Sequence, residues 1–419
     1  MENVFDVLRA RGFVQQATHP DVLRQRLDSE RLTFYIGYDP TARSLHIGSL
    51  LTIMAMATMQ RAGHRPLVIV GGGTAMVGDP SGRTEMRQML SQETIAQNVQ
   101  ALRGQLQRYL SFEGDHGAII VNNADWLTEL KYIDFLRDIG RHFSVNRMLT
   151  FEAYKQRLET GLSFLEFNYQ LLQAYDFLVL FQHYGCVLQI GGDDQWGNMV
   201  AGVELIRRVA DGEAFVMTFP LLATASGQKM GKTAVGAIWL DAELTSPYEF
   251  YQFWINVDDR DVQRFLKYYT FLPLEEIARL GTLQGAELRQ AKRILAFEAT
   301  RLTHGEDEAR KAQDAADALF SIATNPTGVQ WKANELTATL ETAIPQGRLA
   351  AGIAMVDLLV ETKLAASKSD ARRLIQQGGA SLNGTRVPNL EAVVTSADLH
   401  DGTLLLRAGK KHFHRVVVK

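Results

Sequence analysis

Hydrophobic positions in the first part of the chain follow two spacings in turn. Short continuous apolar runs at residues 32–36 and 66–73 end in glycine and predict buried parallel strands. Between them, apolar residues recur at helical spacing over 50–57, and Gly63 ends that pattern. A strand, a crossover helix and a second strand form a βαβ unit of fixed hand. We therefore predict an α/β fold whose first domain is a doubly wound, Rossmann-like parallel sheet.

The pattern changes to helices after about residue 240. The sequence SPYE at 246–249 is a capping box with proline at the first helical position, so a helix begins there. Helical spacing continues to about Thr324, and an aperiodic stretch with two prolines follows. These changes predict a Rossmann-like domain over 1–235 with an insertion at about 125–165, an α-helical domain over 236–325, a linker over 326–350 and a small α+β domain over 351–419.

The C-terminal part of the chain is basic. Ser367 or Ser369 caps a short helix that Gly378 stops, and the Asn-Gly pair at 383–384 predicts a hairpin. From Lys363 onward, ten Lys and Arg against four Asp and Glu give a net charge of +6, in a chain whose net charge is -3. We expect this module to bind an anionic macromolecule; a chance imbalance on a solvated surface is the alternative.

Composition narrows the class of protein. With 419 residues, 46% of them apolar and 22% charged, the chain can form several globular domains. The single cysteine, Cys186, lies in an apolar run, which excludes an intrachain disulfide or a cysteine zinc site and indicates a buried, inert thiol. The first residues carry mixed charges without an apolar signal core, and no apolar run reaches the ~18 residues of a membrane span. We expect a cytoplasmic location.

The end of the first predicted strand and the start of the next helix form a candidate phosphate site. A helix N-terminus offers unpaired N–H donors to an anion. Thr41 and His46 add side-chain donors there, and Asp39 adds an acceptor. Room for a ligand against the backbone comes from two glycines, Gly37 and Gly48.

Two basic segments are further candidates for phosphate contacts. Arg83 and Arg87 lie four residues apart on one predicted helix face and can hold a polyphosphate, although a solvated basic face fits equally well. The sequence KMGKT nearly makes a Walker A loop but lacks its first glycine. Its Lys229 and Lys232, followed by Thr233, lie in a Gly-rich loop that can close on a leaving pyrophosphate.

Polar side chains in apolar surroundings indicate a site for a small ligand. Tyr169, Gln173 and Asp176 share one face of an otherwise apolar helix, and buried polar groups need partners. Either these groups satisfy each other within the protein, or they line a pocket. Asp79 is presented by a GDPSG turn after the second strand.

A third strand, over residues 185–192, also ends in glycines and acids. Ligands bind beyond the carboxyl ends of strands in open α/β sheets. Gly192 lets the backbone approach a ribose, while Asp194 and Gln195 can hydrogen-bond its hydroxyls. A capping turn before the following helix is the alternative.

Two motifs together carry a resemblance to a known family. HIGS at 46–49 and KMGKT at 229–233, in this order and separation, resemble the signatures of class I aminoacyl-tRNA synthetases. The intervening segments are similar to bacterial-type tyrosyl-tRNA synthetases over nearly the whole chain. The resemblance implies a ligase that makes tyrosyl-adenylate and pyrophosphate from tyrosine and ATP and then transfers tyrosine to tRNA. It also implies Mg²⁺ with the ATP phosphates, no tightly bound protein metal, a small C-terminal RNA-binding domain and a homodimer joined through the 125–165 insertion.

The resemblance also implies residue roles at matching positions. The catalytic, phosphate-side role falls to Thr41, His46, Arg83, Arg87, Lys229, Lys232 and Thr233. Tyrosine binding falls to Tyr35, Asp79, Tyr169, Gln173 and Asp176, with Tyr35 and Asp176 holding the phenol. ATP and adenylate contacts fall to Gly37, Asp39, Gly48, Ser49, Gly192, Asp194 and Gln195.

Some positions depart from the family pattern and leave other readings open. Ser49 stands where a second histidine is usual, and Ile36 where some members have a ribose-contacting cysteine. Gly231 replaces the usual serine of the second motif. The alternatives are a tryptophan-type class I synthetase and a catalytically inactive RNA-binding relative. A nicotinamide oxidoreductase is excluded, because Met76 stands where the dinucleotide fingerprint needs glycine.

Overall fold

The structure, a computed structural model, describes residues 2–81, 91–225, 227, 230, 232–233, 236–324, 341–409 and 412–419. Its helices are α1 (Val4–Arg11), α2 (Pro20–Ser29), α3 (Ile47–Arg61), α4 (Gln92–Leu106), α5 (Ala124–Leu127), α6 (Tyr132–Asp138), α7 (Val145–Met148), α8 (Glu152–Thr160), α9 (Phe164–Phe167), α10 (Tyr169–Tyr184), α11 (Trp196–Ala210), α12 (Pro247–Ile255), α13 (Val262–Tyr269), α14 (Leu274–Gly281), α15 (Leu288–His304), α16 (Glu306–Thr324), α17 (Gln346–Ala350), α18 (Met355–Glu361) and α19 (Lys368–Gln376). Its strands are β1 (Gln16–Ala17), β2 (Thr33–Tyr38), β3 (Arg65–Val70), β4 (Ile119–Asn122), β5 (Cys186–Gly192), β6 (Phe215–Phe219), β7 (Lys232–Thr233), β8 (Gly236–Ala237), β9 (Glu341–Ile344), β10 (Ile353–Ala354), β11 (Ala380–Leu382), β12 (Thr385–Arg386), β13 (Val393–Val394), β14 (Thr403–Ala408) and β15 (His412–Val418).

A mostly parallel sheet organises the first part of the chain. Its strand order is β1-β6-β5-β2-β3-β4, and only the short edge strand β1 runs antiparallel to its neighbour. The chain builds outward from β2 to β3 and β4, and then returns to the other side of β2 with β5 and β6. The order therefore switches between β2 and β5, which is where open α/β sheets bind ligands. The predicted doubly wound fold is confirmed.

The inner strands of this sheet, β6, β5, β2 and β3, are mostly buried because their sequences are apolar on both faces. Every residue of β6 is buried, as are the last five residues of β3. Cys186, at the start of β5, is fully buried, and this burial raises the pKa of its thiol. Within the described residues, no helix is long and apolar enough to cross a membrane.

Local capping signals in the sequence work as predicted. Ser246 caps α12 by accepting a hydrogen bond from the amide of Glu249, and the Glu249 carboxylate accepts from the Ser246 amide at 3.1 Å. Ser367, the first of the two predicted candidates, caps α19. The predicted hairpin joins β11 to β12 through Asn383 and Gly384, which both have positive φ. A type I′ turn requires that backbone geometry at both positions.

The described residues cluster into two compact units. The first comprises 1–245 with 257–291, and the second comprises 246–256 with 292–419. The domain boundaries predicted from the sequence stay predictions, but one stretch differs from the linker that we assigned. Residues 341–350 form β9 and α17, and β9 pairs in parallel with β15 in a five-stranded sheet of the second unit. The pairing joins segments about 70 residues apart, so no local pattern indicates it.

Candidate active site

Side chains for a site converge where the strands of the first sheet end. Tyr38, the last residue of β2, lies beside Val70, the last of β3, and Val70 lies beside Asn122, the last of β4. The loops that follow these strands therefore leave the sheet at one edge. They carry Asp39 after β2 and Asn123 after β4. This edge is the predicted ligand side of the fold.

A carboxylate on α10 is buried and held by hydrogen bonds from the segment after β4. Asp176, on α10, is 3% exposed and accepts hydrogen bonds from Asn123 Nδ2 at 2.9 Å and from Trp126 Nε1 at 2.7 Å. Desolvation raises the pKa of Asp176 to about 7, even though both donors oppose the rise. The negative charge of Asp39 also raises it. The carboxylate is thus held in one orientation by two donors that reach it from beyond β4.

A phenol from β2 lies near that carboxylate. Tyr35 is 1% exposed, and its ring centroid lies 5.1 Å from that of Phe177 on α10. Burial raises the pKa of Tyr35 well above its ordinary value, and the charge of Asp176 raises it further. Among the described residues, the Tyr35 hydroxyl has no hydrogen-bond partner. Because a buried hydroxyl without a partner is costly, a polar ligand atom is a natural partner for it.

The other predicted members of this helix face line α10 toward its start. Tyr169 is buried, and the side-chain oxygen of Gln173 is buried without a partner in the part of the chain that the structure describes. The sequence left open whether Tyr169, Gln173 and Asp176 satisfy each other. Asp176 instead takes its partners from the segment after β4. The carboxylate of Asp176 therefore does not satisfy Gln173, and this favours the alternative in which the helix face lines a ligand pocket.

A second hydrogen-bonded group joins the GDPSG turn to the end of β5. Asp79 is 8% exposed, and its carboxylate accepts from the Ser81 amide at 2.9 Å and from Gln195 Nε2 at 2.7 Å. The oxygen of Gln195 in turn accepts from Asn198 Nδ2 at 3.2 Å. The structure therefore brings together Asp79 and Gln195, which the sequence assigned to amino-acid and adenylate contacts respectively. Asp194 lies directly before Gln195, and Gly192, the last residue of β5, lies three residues before it.

Asp39 is tied to the same network through a threonine. The Thr74 hydroxyl lies 3.3 Å from a carboxylate oxygen of Asp39, and Asn123 Nδ2 donates to that hydroxyl at 3.0 Å. The side chains of Thr74 and Asp39 lie over Gly71, where an added Cβ would stand 2.6 Å from the Asp39 oxygen. Asn123 thus connects the carboxylates of Asp39 and Asp176 through one amide group.

The start of α3 carries the predicted phosphate-side residues. His46 is the N-cap of α3, and its Nδ1 accepts from the Gly48 amide at 3.0 Å. A Cβ at Gly48 would stand 2.7 Å from Cε1 of His46, so this glycine leaves room for the imidazole. A Cβ at Gly37 would meet no atom within 4 Å. Thr41 is exposed, and its amide donates to the Asp39 carbonyl in a tight turn. Ser49 is half-buried in the first turn of α3.

The segment after the second motif returns to the start of α3. The Ile47 amide donates to the Ile238 carbonyl at 3.0 Å, and the rings of His46 and Trp239 lie 6.2 Å apart. The backbone of Lys232 and Thr233 forms β7, which pairs with β8. Arg83, Arg87, Lys229 and Gly231 lie outside the described residues. The described part therefore places the flank of the second motif beside the first.

Three residues of this site were missed by the sequence reasoning. Asn123 directly follows β4, and a polar residue just after an apolar strand is a usable signal at a ligand edge. Thr74 has a weaker signal of the same kind, since it follows the glycines after β3. The contact of Trp126 with Asp176 has no sequence signal, because it depends on where α5 packs.

Comparison with known proteins identifies the family. Residues 27–321 match the family model described as tRNA synthetases class I (W and Y), and residues 335–416 match the tyrosine–tRNA ligase SYY-like C-terminal domain. The chain therefore belongs to the class I tRNA synthetases of the tryptophan and tyrosine type. Its C-terminal match lies on the tyrosine side of that family.

Relatives over the full length support this assignment. The chain is 53% identical over 419 residues to a tyrosine–tRNA ligase of Clostridium beijerinckii, covering 100% of both chains. It is 52% identical to one of Acetivibrio thermocellus, covering 99% of each. A C-terminally truncated mitochondrial tyrosyl-tRNA synthetase of Aspergillus nidulans superposes with a TM-score of 0.69 at 31% identity, covering 76% of this chain and 95% of that one. A tryptophanyl-tRNA synthetase of Encephalitozoon cuniculi, at 14% identity and a TM-score of 0.53 over 74% of this chain and 90% of that one, shares the fold.

Proposed function

We propose that this chain activates tyrosine with ATP and transfers the tyrosyl group to a tRNA. The observation that carries the proposal is the buried hydroxyl of Tyr35, which lacks a partner among the described residues beside the oriented carboxylate of Asp176. A phenol ligand both donates and accepts one hydrogen bond, so it can satisfy both groups. Phenylalanine lacks the hydroxyl and would leave them unpaired in an apolar site.

The ammonium end of the amino acid has a matching set of acceptors. Asp79, Gln173 and Tyr169 can accept hydrogen bonds from an ammonium group, and the buried oxygen of Gln173 has no donor among the described residues. Gln195 keeps the carboxylate of Asp79 in place through a 2.7 Å bond. In this proposal the amino acid is held at both ends, which fixes its own carboxylate toward the ATP side.

The first reaction step needs no general base. The carboxylate of tyrosine is already ionised at pH 7 and attacks the α-phosphorus of ATP, while the bond to pyrophosphate breaks. His46 and Thr41 at the start of α3, with Lys229, Lys232, Thr233, Arg83 and Arg87, would stabilise the charge on the departing phosphates. ATP enters as its magnesium complex, and Asp194, Gly192 and Ser49 would contact the ribose and adenylate.

The test is exchange of labelled pyrophosphate into ATP, measured with each amino acid in turn. We expect exchange that depends on tyrosine and is far slower with phenylalanine. Exchange with tryptophan in place of tyrosine would favour the tryptophan-type reading. Binding of tRNA without any exchange would favour an inactive RNA-binding relative.

The basic C-terminal region supports contact with tRNA in the proposed second step. Arg372 is exposed on α19, and the chain from Lys363 onward carries a net charge of +6. Arg372→Glu should raise KM for tRNA in tyrosine charging by about fivefold, since each phosphate contact adds affinity, while pyrophosphate exchange stays unchanged. Arg9→Glu, which reverses an exposed charge in the first unit, is the control. Unchanged charging by Arg372→Glu would remove this helix from the tRNA contact.

Exposed apolar side chains support a homodimer. The 125–165 insertion and its flank expose large hydrophobic residues: Tyr132, Ile133, Val145, Leu158, Phe164 and Leu165. Ile133, at 70%, is the most exposed of them, and large apolar side chains exposed within one segment are a feature of protein interfaces. Ile133→Glu should shift sedimentation from dimer to monomer at micromolar concentration. A monomeric unaltered protein would contradict the dimer.

A further inference from the structure

Two side chains near the start of α13 contact the segment 222–225. This segment leads into the second motif, KMGKT, and forms the stem of its loop. Asp261 is 2% exposed, and its Oδ2 accepts from the Ala225 amide at 2.8 Å. Its Oδ1 accepts from Nη2 of Arg264 at 2.5 Å. The same nitrogen donates to the Ala223 carbonyl at 2.7 Å. One donor and one acceptor of the loop backbone are therefore held by α13.

The far side of the same loop closes on its start. The Met230 amide donates to the Leu222 carbonyl at 2.9 Å, and the Gly227 amide donates to the Thr224 carbonyl at 2.8 Å. Met230 is 6% exposed, and its sulfur lies 3.8 Å from the hydroxyl of Tyr269 at the end of α13. Lys229 directly precedes Met230 in the sequence, and Lys232 follows two residues later. The segment that contacts α13 therefore precedes both lysines in the sequence by a few residues.

The position of Asp261 indicates that its carboxylate serves the loop rather than the helix. Asp261 is the N-cap residue of α13, where an aspartate side chain usually accepts from the amides of its own first turn. Here it makes no such capping bond. A carboxylate that is almost fully buried costs free energy unless charged and hydrogen-bonding partners compensate it. Within the described residues, those partners are the loop amide of Ala225 and the guanidinium of Arg264.

We propose that Asp261 and Arg264 are positioning residues for amino-acid activation, which hold the loop stem at Ala223 and Ala225 so that Lys229 and Lys232 meet the departing pyrophosphate. The inference rests on the proposed function, in which the two lysines act on the phosphates. Neither Asp261 nor Arg264 touches a reactant in this proposal. They act through the backbone of Ala223 and Ala225, because a small displacement of a charged group from the reacting phosphate lowers the rate steeply.

The experiment measures adenylate formation in single turnovers of the full-length protein at saturating tyrosine and ATP. Asp261→Asn keeps the shape and one acceptor but weakens the pairing with Arg264, and Arg264→Met removes both guanidinium bonds from a side chain that is 40% exposed. Each should slow adenylate formation by about tenfold, as expected for a misplaced charged group, and leave the tyrosine Kd within about twofold. Arg260→Ala is the matched control, because it breaks an exposed ion pair with Asp258 just before α13 without touching the described part of the loop.

Two further measurements separate positioning from a merely structural role. Amide hydrogen exchange should show faster exchange at Ala225 in Asp261→Asn than in the unaltered protein. In a background with both Lys229→Ala and Lys232→Ala, adding Asp261→Asn should cost less than about twofold, because the two groups that the stem positions are already gone. A full, additive tenfold loss in that background would overturn the proposal. So would faster exchange at Ala225 with an unchanged rate of adenylate formation.

The outcome is distinguishable from failure of the proposed function. If the unaltered protein shows no tyrosine-dependent adenylate formation, the proposed function fails before any variant is compared. If it does show that activity and the Asp261 and Arg264 variants match the Arg260→Ala control, only the positioning role fails.

Discussion

The proposed amino-acid pocket and the proposed phosphate side of the site are built in different ways. In the pocket, Tyr35 and Asp176 are almost fully buried, and Asn123 orients the carboxylate through side-chain hydrogen bonds. At the start of α3, His46 is half-buried, Thr41 is exposed, and the hydrogen bond from Ile47 to the second-motif flank joins backbone groups. One region is a closed, desolvated network, while the other is open and made largely of main-chain groups.

The difference matches what each region has to do. Recognition of one side chain against a close analogue is strongest where unpaired polar groups are costly, which requires burial. Stabilisation of a large polyphosphate requires charges and N–H donors that can be reached from solvent. Changes in the pocket should therefore alter which amino acid reacts, and changes at the start of α3 should alter how fast it reacts.

The largest expected effect is on the phosphate side. His46→Ala removes the imidazole from the N-terminus of α3 and should slow adenylate formation by about 10²- to 10³-fold, the usual cost of removing one donor to developing charge. The tyrosine Kd, measured by equilibrium dialysis, should change less than about twofold. A large loss of tyrosine binding would contradict the assignment of His46 to the phosphate side alone.

The next effect is on the pocket. Tyr35→Phe removes a hydroxyl that has no partner among the described residues, so the folded protein without ligand should not be destabilised. The preference for tyrosine over phenylalanine, measured as the ratio of kcat/KM in pyrophosphate exchange, should fall by roughly 10- to 100-fold, which is about 1–3 kcal/mol. An unchanged ratio would mean that the Tyr35 hydroxyl does not distinguish tyrosine from phenylalanine.

A smaller effect is expected at Gly48. Gly48→Ala places a Cβ 2.7 Å from Cε1 of His46, so the imidazole has to move. We expect about tenfold slower adenylate formation, in line with a displaced catalytic group, and an unchanged preference for tyrosine. The same substitution should have almost no effect in the His46→Ala background. A tenfold loss there as well would show that the glycine serves the nucleotide directly.

The smallest effect concerns stability and pH. Burial raises the pKa of Asp176 from 3.8 to about 7 in the folded protein, so between these pH values the folded state holds a proton that the unfolded state has lost. The contribution of Asp176 to stability therefore falls as pH rises from about 4 to about 7. In urea unfolding, Asp176→Asn should gain stability relative to the unaltered protein over that range. Parallel curves would mean that the carboxyl stays ionised throughout.

Much of the fold was readable from local pattern. The apolar runs that became β2, β3 and β5 end in glycine, and the capping box at Ser246 and Glu249 marks the start of α12. β9 was not readable, since its four residues pair with β15 through a contact distant in sequence. Local signals fix individual elements, whereas non-local pairing is decided by the packing of the whole module.

The site was readable in part. Tyr35, Asp79, Asp176 and Gln195 were predicted from family resemblance and helical spacing. The structure joins Asp79 to Gln195 after β5, and it buries Tyr35 of β2 near Asp176 of α10. Their roles stay predictions. The hydrogen bonds from Asn123 and Trp126 could not be anticipated, because they depend on how the chain turns after β4.

The single thiol of this protein can report local opening of the first unit. Cys186 is the only cysteine of the chain, and it lies fully buried at the start of β5, where it pairs with Thr33 of β2. A thiol reagent can react there only when the packing around the start of β5 opens. The labelling rate of the unmodified protein therefore measures how often that part of the first unit opens. Tyrosine or ATP should slow that labelling if either binds the closed sheet more tightly.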